Sequence, residues 1–164
     1  MSETTAIESL IGELAARLRR QSQRVATAES CTGGLIAAAI TAQAGSSAWF
    51  ERGWITYANE AKSEELGVDA SLIATHGAVS EPVAAAMARG AYAHSHSDYA
   101  VAVTGIAGPD GGSPQKPVGT VVFARAIRGQ DEEEALAEER LLDGSSRSTV
   151  RHQAALVALE LLLP

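Results

Sequence analysis

A chain of 164 residues, 46% of them hydrophobic, is long enough to bury one core, and nothing in it demands a second domain. Its formal net charge of −7 leaves no basic stripe to neutralise phosphates, which argues against a general nucleic-acid binder. A single cysteine excludes an intramolecular disulfide framework, no Cys/His spacing matches a zinc site, and no signal-peptide core or membrane-length apolar run is present.

The expectation is therefore one cytoplasmic domain over residues 1–164, with no metal, no cofactor and no membrane partner. Homo-oligomerisation is left open. Fifteen glycines against 4% aromatics imply tight turns and a core built from Ala, Leu, Val and Ile.

Taken in chain order, Ile7, Leu10, Ile11, Leu14 and Leu18 follow helical spacing, with Thr5 and Glu8 placed as a capping box. Arg24–Ala28 reads as a first strand. It runs into Glu29-Ser30-Cys31-Thr32-Gly33-Gly34 and then a helix from Leu35 that ends near Ala44-Gly45. That pattern puts a hydroxyl and a thiol on a strand-to-helix turn, beside the positive end of a helix dipole and its unpaired N–H groups. A nucleophile placed there would have an oxyanion-stabilising cradle, although Ser and Thr are also ordinary helix caps.

Further on, Trp54–Tyr57 reads as a strand, and Asn59 caps a short helix that carries Lys62 and stops at Gly67. A second short helix covers Asp69–Thr75. Ser80-Glu81-Pro82 starts a longer one that continues to about Ala93. Tyr99–Val103 has the continuous apolar run of a buried strand and ends at Thr104-Gly105.

Pro109, Pro114 and Pro117, together with several glycines, make Gly105–Gly119 an ordered irregular loop. Gly119–Ala126 and Ala135–Leu142 read as a hairpin with Asp131–Glu134 as its acidic tip. Ser146–Leu163 reads as the closing helix. Strands separated by helices predict an α/β fold: a three-layer α/β/α sandwich with a mixed central sheet, the last hairpin supplying its antiparallel part.

Four elements with chemical potential then fall at predicted strand ends or helix starts, where α/β proteins bind ligands. They are Ser30, the Tyr57–Lys62 segment, the Thr104–Gly112 segment, and the pair Arg147 and Arg151. The two arginines share one face of a helix near its N-terminus, a geometry that suits a phosphate or, equally, pairing with acidic neighbours such as Asp143 or Glu139.

A serine nucleophile needs a base, and His76, His94, His96 and His152 all fall in positions that read as surface or packing. Lysine can act as that base only if burial or nearby positive charge lowers its pKa from ~10.4. A lysine on a short helix is ordinarily solvated, and a tyrosine after three β-formers ordinarily belongs to the core. The residues alone leave those readings open.

The segments Ala28–Gly34, Thr56–Lys62, Leu66–Val68, Gly77–Glu81, Val103–Gly111 and Lys116–Val121 resemble, in order, the C-terminal domain of the competence-damage-inducible protein CinA. That domain also occurs alone as a nicotinamide-nucleotide amidase. The resemblance runs from about Ile7 to Leu163, and at 164 residues the chain has no room for the extra N-terminal domain of the larger members.

The resemblance implies hydrolysis of the carboxamide of nicotinamide mononucleotide (NMN), with Ser30 as nucleophile, Lys62 as general base and Tyr57 assisting. Thr32, Gly33, Gly34, Asn59, Thr104, Gly105, Gly108, Arg147 and Arg151 are the expected substrate-binding positions. Cys31 is a rival nucleophile, but neighbouring residues in a turn point in different directions, and the resemblance favours Ser30.

One departure stands out. Ser145-Ser146-Arg147 replaces the family's usual Gly-Asp-Arg, which exchanges a carboxylate for another helix-capping residue. The remaining alternatives are a pyridine-nucleotide-binding module without turnover and an amidase for another small carboxamide.

Overall fold

A computed structural model describes residues 1–130 and 135–163; the acidic turn expected at Asp131–Glu134 lies outside them. The elements are α1 (Glu3–Arg20), β1 (Val25–Glu29), α2 (Leu35–Thr41), a 3-10 turn at Ser46–Ala48, β2 (Phe50–Ile55), α3 (Asn59–Leu66), α4 (Ala70–His76), α5 (Glu81–Ala93), β3 (Tyr99–Gly105), β4 (Thr120–Ile127), β5 (Leu136–Leu141) and α6 (Arg147–Glu160). The five strands form one sheet in the order β2-β1-β3-β4-β5. Strands β1, β2 and β3 pair in parallel, and β4 runs antiparallel to both β3 and β5. This is the mixed sheet expected, its antiparallel part built on the last hairpin.

Alternation along the strands assigns each face its helices. Val25, Val101, Val103, Val121 and Phe123 point to the face covered by α1, α2 and α6. On the other face, Ala26, Ala28, Ala100, Ala102, Ala124 and Ala126 present almost no side chain, so α5 can lie close to the sheet through Val83, Ala84, Met87, Ala88 and Ala91. Gly90 carries the same logic sideways. A Cβ there would sit 2.0 Å from the Leu66 carbonyl oxygen, so a bare glycine inside α5 is what lets the end of α3 dock. That contact anchors the helix that carries Lys62.

Register places the site. Glu29 stands level with Ile55 on one side and Val103 on the other, so the chain leaves all three parallel strands at one height. Ser30, Thr56 and Thr104 consequently emerge side by side at the carboxyl edge, the edge at which open α/β sheets bind ligands.

Several boundaries differ from the sequence expectation. Ser2, not Thr5, caps α1, its side chain accepting from the Thr5 N–H, so the helix begins three residues earlier than the capping-box reading. Strand β2 starts at Phe50 and ends at Ile55, which leaves Tyr57 beyond the strand. As an edge strand with only β1 beside it, β2 has no fully buried residue, so it lacks the apolar run that would mark its start. Asn59 is the first helical residue of α3 and not its cap, which is Ala58 without a side-chain hydrogen bond. Helix α6 ends at Glu160, short of the expected Leu163.

Candidate active site

The turn after β1 is fixed at both ends. The Ser30 N–H donates to the Val103 carbonyl at 3.0 Å, continuing the sheet ladder for one residue, and the Gly33 N–H closes the turn on the Ser30 carbonyl at 3.0 Å. Gly33 and Gly34 then take φ of +58° and +103°, in the left-handed region that side chains disfavour, and this lets the chain double back into α2.

The helix dipole does a different job from the one expected. Glu29, 1% exposed, accepts from the N–H groups of Ile36 (2.9 Å) and Ala37 (3.1 Å), so a buried carboxylate caps α2. The free N–H groups predicted at the start of α2 are thus occupied. Donors for an oxyanion are left to the turn itself, where the Thr32 N–H has no acceptor among the described residues.

Lys62 lies in the middle of α3, yet it is 1% exposed. Its Nζ donates to Ser30 Oγ (3.2 Å), to the Thr56 carbonyl (2.9 Å) and to the Tyr57 carbonyl (3.3 Å). All three acceptors are neutral. Burial pulls the Lys62 pKa below its ordinary value, opposed by weaker attractions to Cys31 and Glu60. The cause is desolvation, one of the two routes by which a lysine can become a base.

A neutral amine at this place can donate to both carbonyls and turn its lone pair to the hydroxyl of Ser30, itself only 7% exposed. No imidazole competes for the role: His76, His94, His96 and His152 are exposed, and none lines the cavity around Ser30.

That cavity measures about 300 Å³. Ser30, Cys31 and Lys62 belong to its lining together with Ala78, Val79, residues 104–108 and 110–112, and Tyr57, Asn59 and Arg147 complete it. Thr104 donates its hydroxyl to the Ala78 carbonyl at 2.9 Å. The Lys116 ammonium donates to the Val79 carbonyl, tying the 105–119 loop to the α4–α5 connection.

Tyr57 is 59% exposed; its carbonyl holds Lys62 while its hydroxyl accepts from Arg147 Nη2 at 2.9 Å. Arg147 also donates to the Gly108 carbonyl at 2.8 Å. It makes no ion pair with Asp143, Glu139 or any other described carboxylate, so its charge faces the cavity without a counter-ion. Ser146 caps α6 by accepting from the Thr149 N–H at 3.0 Å, so the cap survives the loss of the family's carboxylate.

Four expected binding residues stand outside the cavity: Thr32, Gly33, Gly34 and Arg151. Arg151 does not join Arg147 at a shared anion site. It donates from Nε to the Cys31 carbonyl (3.1 Å) and from Nη2 to the Thr32 carbonyl (3.3 Å), behind the turn. One helical turn separates the two arginines, but they reach different parts of the molecule.

Cys31 is 5% exposed, and burial pushes its thiol up to about 11, outweighing the attraction of Arg151 and Lys62. At that value it stays a protonated, weakly nucleophilic group. Its Sγ would lie 3.1 Å from a Cβ at Gly105, so the thiol fills space that a side chain there would need.

Sequence reasoning missed the work of Glu29, which was legible only as a carboxylate seven residues before the helix amide it caps. A larger groove of about 510 Å³ between α1, α2 and α6 is walled mainly by Ile7, Ile11, Leu35, Ala38 and Ala39. It contains no nucleophile–base pair, so chemistry and not size locates the site.

The CinA C-terminal domain family model matches residues 7–164. The chain is 50% identical over 162 residues to "Nicotinamide-nucleotide amidohydrolase PncC" of Escherichia coli K12, covering 98% of this chain and 93% of that protein. To the protein of the same name from Pseudomonas putida it is 52% identical, over 99% and 97% of the two chains. Among solved structures, the competence/damage inducible protein CihA from Agrobacterium tumefaciens superposes with a TM-score of 0.92 at 45% identity, covering 96% of this chain and 94% of that one.

Proposed function

The chain belongs to the CinA C-terminal domain family, and from that premise we propose that it is a one-domain, cytoplasmic nicotinamide-nucleotide amidase that uses a serine–lysine pair. The observation that carries the mechanism is the buried 3.2 Å contact between Lys62 Nζ and Ser30 Oγ, with neutral carbonyls as the other partners of the amine.

Neutral Lys62 takes the Ser30 proton as Oγ attacks the carboxamide carbon of NMN. The carbonyl oxygen becomes an oxyanion held by the Thr32 N–H, a donor of the turn with no acceptor among the described residues. Collapse breaks the C–N bond, and Lys62 returns the proton to the departing nitrogen, which leaves as ammonia. Water, deprotonated by the same amine, then attacks the Ser30 ester and releases nicotinic acid mononucleotide. Ser30 regains its proton from Lys62. Each step balances with water as the only co-reactant.

Arg147 is the group suited to the 5′-phosphate: a guanidinium without a counter-ion, at a helix N-terminus, on the rim of the cavity. Asn59, Thr104, Gly105 and Gly108 line the space between floor and rim, where the ring and ribose would lie. Purified protein incubated with NMN in EDTA should release ammonia and nicotinic acid mononucleotide in equal amounts. Absence of both products, or activity that requires an added divalent ion, contradicts the proposal.

A further inference from the structure

Arg151 is a half-buried cation that donates to two consecutive backbone carbonyls, those of Cys31 and Thr32, about 120 residues away in the chain. A trans peptide points its carbonyl and the following N–H in opposite directions. Fixing the Cys31 carbonyl therefore turns the Thr32 N–H away from Arg151. Fixing the Thr32 carbonyl turns the Gly33 N–H the same way, and that group donates to the Ser30 carbonyl.

The Thr32 carbonyl also accepts from the Leu35 N–H at 3.1 Å, whereas among the described residues no backbone N–H reaches the Cys31 carbonyl, which Arg151 holds. Gly33 and Gly34 are the most permissive residues available, and the Thr32 hydroxyl is buried without a partner among the described residues. No side chain stands between guanidinium and turn: a Cβ on Gly33 would lie 3.2 Å from Arg151 Nη2.

We propose that Arg151 is a positioning residue that clamps the Cys31 and Thr32 carbonyls and so holds Ser30 in reach of Lys62, without touching substrate. The clamp deepens the serine–lysine reading and rests on it. It assigns the two arginines of α6 separate duties, Arg147 toward the ligand and Arg151 toward the nucleophile's backbone.

The test compares Arg151→Ala and Arg151→Lys with the wild-type protein, scoring kcat and KM on NMN and the rate at which a fluorophosphonate probe modifies Ser30. Thermal unfolding of each variant reports the folded fraction. A displacement of about 1 Å costs up to about 100-fold in rate, so Arg151→Ala should lose 10- to 100-fold in kcat. KM should stay within about twofold, and probe labelling should fall in parallel. Arg151→Lys, which can still donate to one carbonyl, should fall between, and free guanidinium ion should restore part of the lost kcat to Arg151→Ala.

A raised KM with kcat preserved overturns the clamp and makes Arg151 a substrate contact. Wild-type kcat in folded Arg151→Lys, with no loss of labelling, overturns it as well, and that variant decides the matter if Arg151→Ala does not fold. Ser30→Ala separates the two layers: if it turns over NMN at the wild-type rate, the nucleophile assignment fails and the clamp with it. Failure of the arginine variants alone leaves the nucleophile assignment standing.

Discussion

The floor and the rim of the cavity are built on opposite principles. On the floor, Ser30 and Lys62 are 7% and 1% exposed, and the amine donates to neutral oxygens alone. On the rim, Tyr57 and Arg147 are exposed, and the arginine keeps its full charge. Desolvation is what a lysine needs to become a base near neutral pH, and it would be wasted on a group meant to attract a phosphate. Reactivity thus comes from removing water below and recognition from leaving a charge in place above.

The sharpest way to break this contrast is to remove the amine. Lys62→Met should fold and lose ~10²–10⁴-fold in kcat, the usual worth of general-base catalysis. Wild-type kcat should rise with pH through the lowered pKa of Lys62 and level off above it, since only the neutral amine accepts the Ser30 proton. The same shift links to stability. Between the lowered folded pKa and the unfolded value of ~10.4, the unfolded chain binds the proton more readily, so this residue makes the protein more stable as pH rises across that interval. A kcat that shows no rise with pH anywhere below ~10.4 would place the base elsewhere.

At the rim the effect should be smaller and selective. Arg147→Ala should weaken NMN binding by ~1.5–3 kcal/mol, about ten- to hundredfold in KM, by losing a charge-assisted contact. Turnover of nicotinamide riboside, which lacks the phosphate, should be poor in the wild type and hardly changed by the substitution. Equal losses on both substrates would mean that Arg147 merely holds α6 against Gly108 and Tyr57.

Two further substitutions probe what supports each level. Gly90→Ala gains ~1 kcal/mol of helix propensity but drives a methyl group into the Leu66 backbone carbonyl. Because backbone cannot swing away as a side chain can, overpacking wins. A net loss of about 1–2 kcal/mol is expected in urea unfolding, with kcat reduced through the shift of α3. An unchanged or higher stability would show that α3 is not pinned there. Ser146→Ala, which removes the cap of α6 at the rim, should cost about 1 kcal/mol and raise KM more than it lowers kcat. A kcat effect larger than the KM effect would tie the start of α6 to the chemistry.

How much of this was legible beforehand depended on whether a residue's role lay in its own neighbourhood of the chain. The Leu/Ile spacing of α1 and the apolar run of β3 announced themselves, because burial of one face or of a whole strand leaves a period in the sequence. The alanine face under α5 did not, since its members come from three strands and no local pattern gathers them.

Ser30 and Lys62 could be nominated from motifs, but their contact required the register that levels β1 with β2 and the docking of α3 at Gly90. The arginine pair shows the limit most clearly. Four residues apart on a helix, Arg147 and Arg151 look equivalent, and only the tertiary placement of the 30–33 turn sends one to the cavity and the other behind it. Glu29 likewise reads as a strand residue until α2 folds back over it.

The central claim, that the hydroxyl at position 30 and not the thiol beside it attacks the carboxamide, is tested most directly by assaying Ser30→Ala and Cys31→Ala together for ammonia release from NMN. With the thiol buried and pushed up to about 11, Cys31→Ala should keep most of the wild-type rate, while Ser30→Ala should release no ammonia above background. An active Ser30→Ala beside an inactive Cys31→Ala would contradict the account and hand the nucleophile's role to the cysteine.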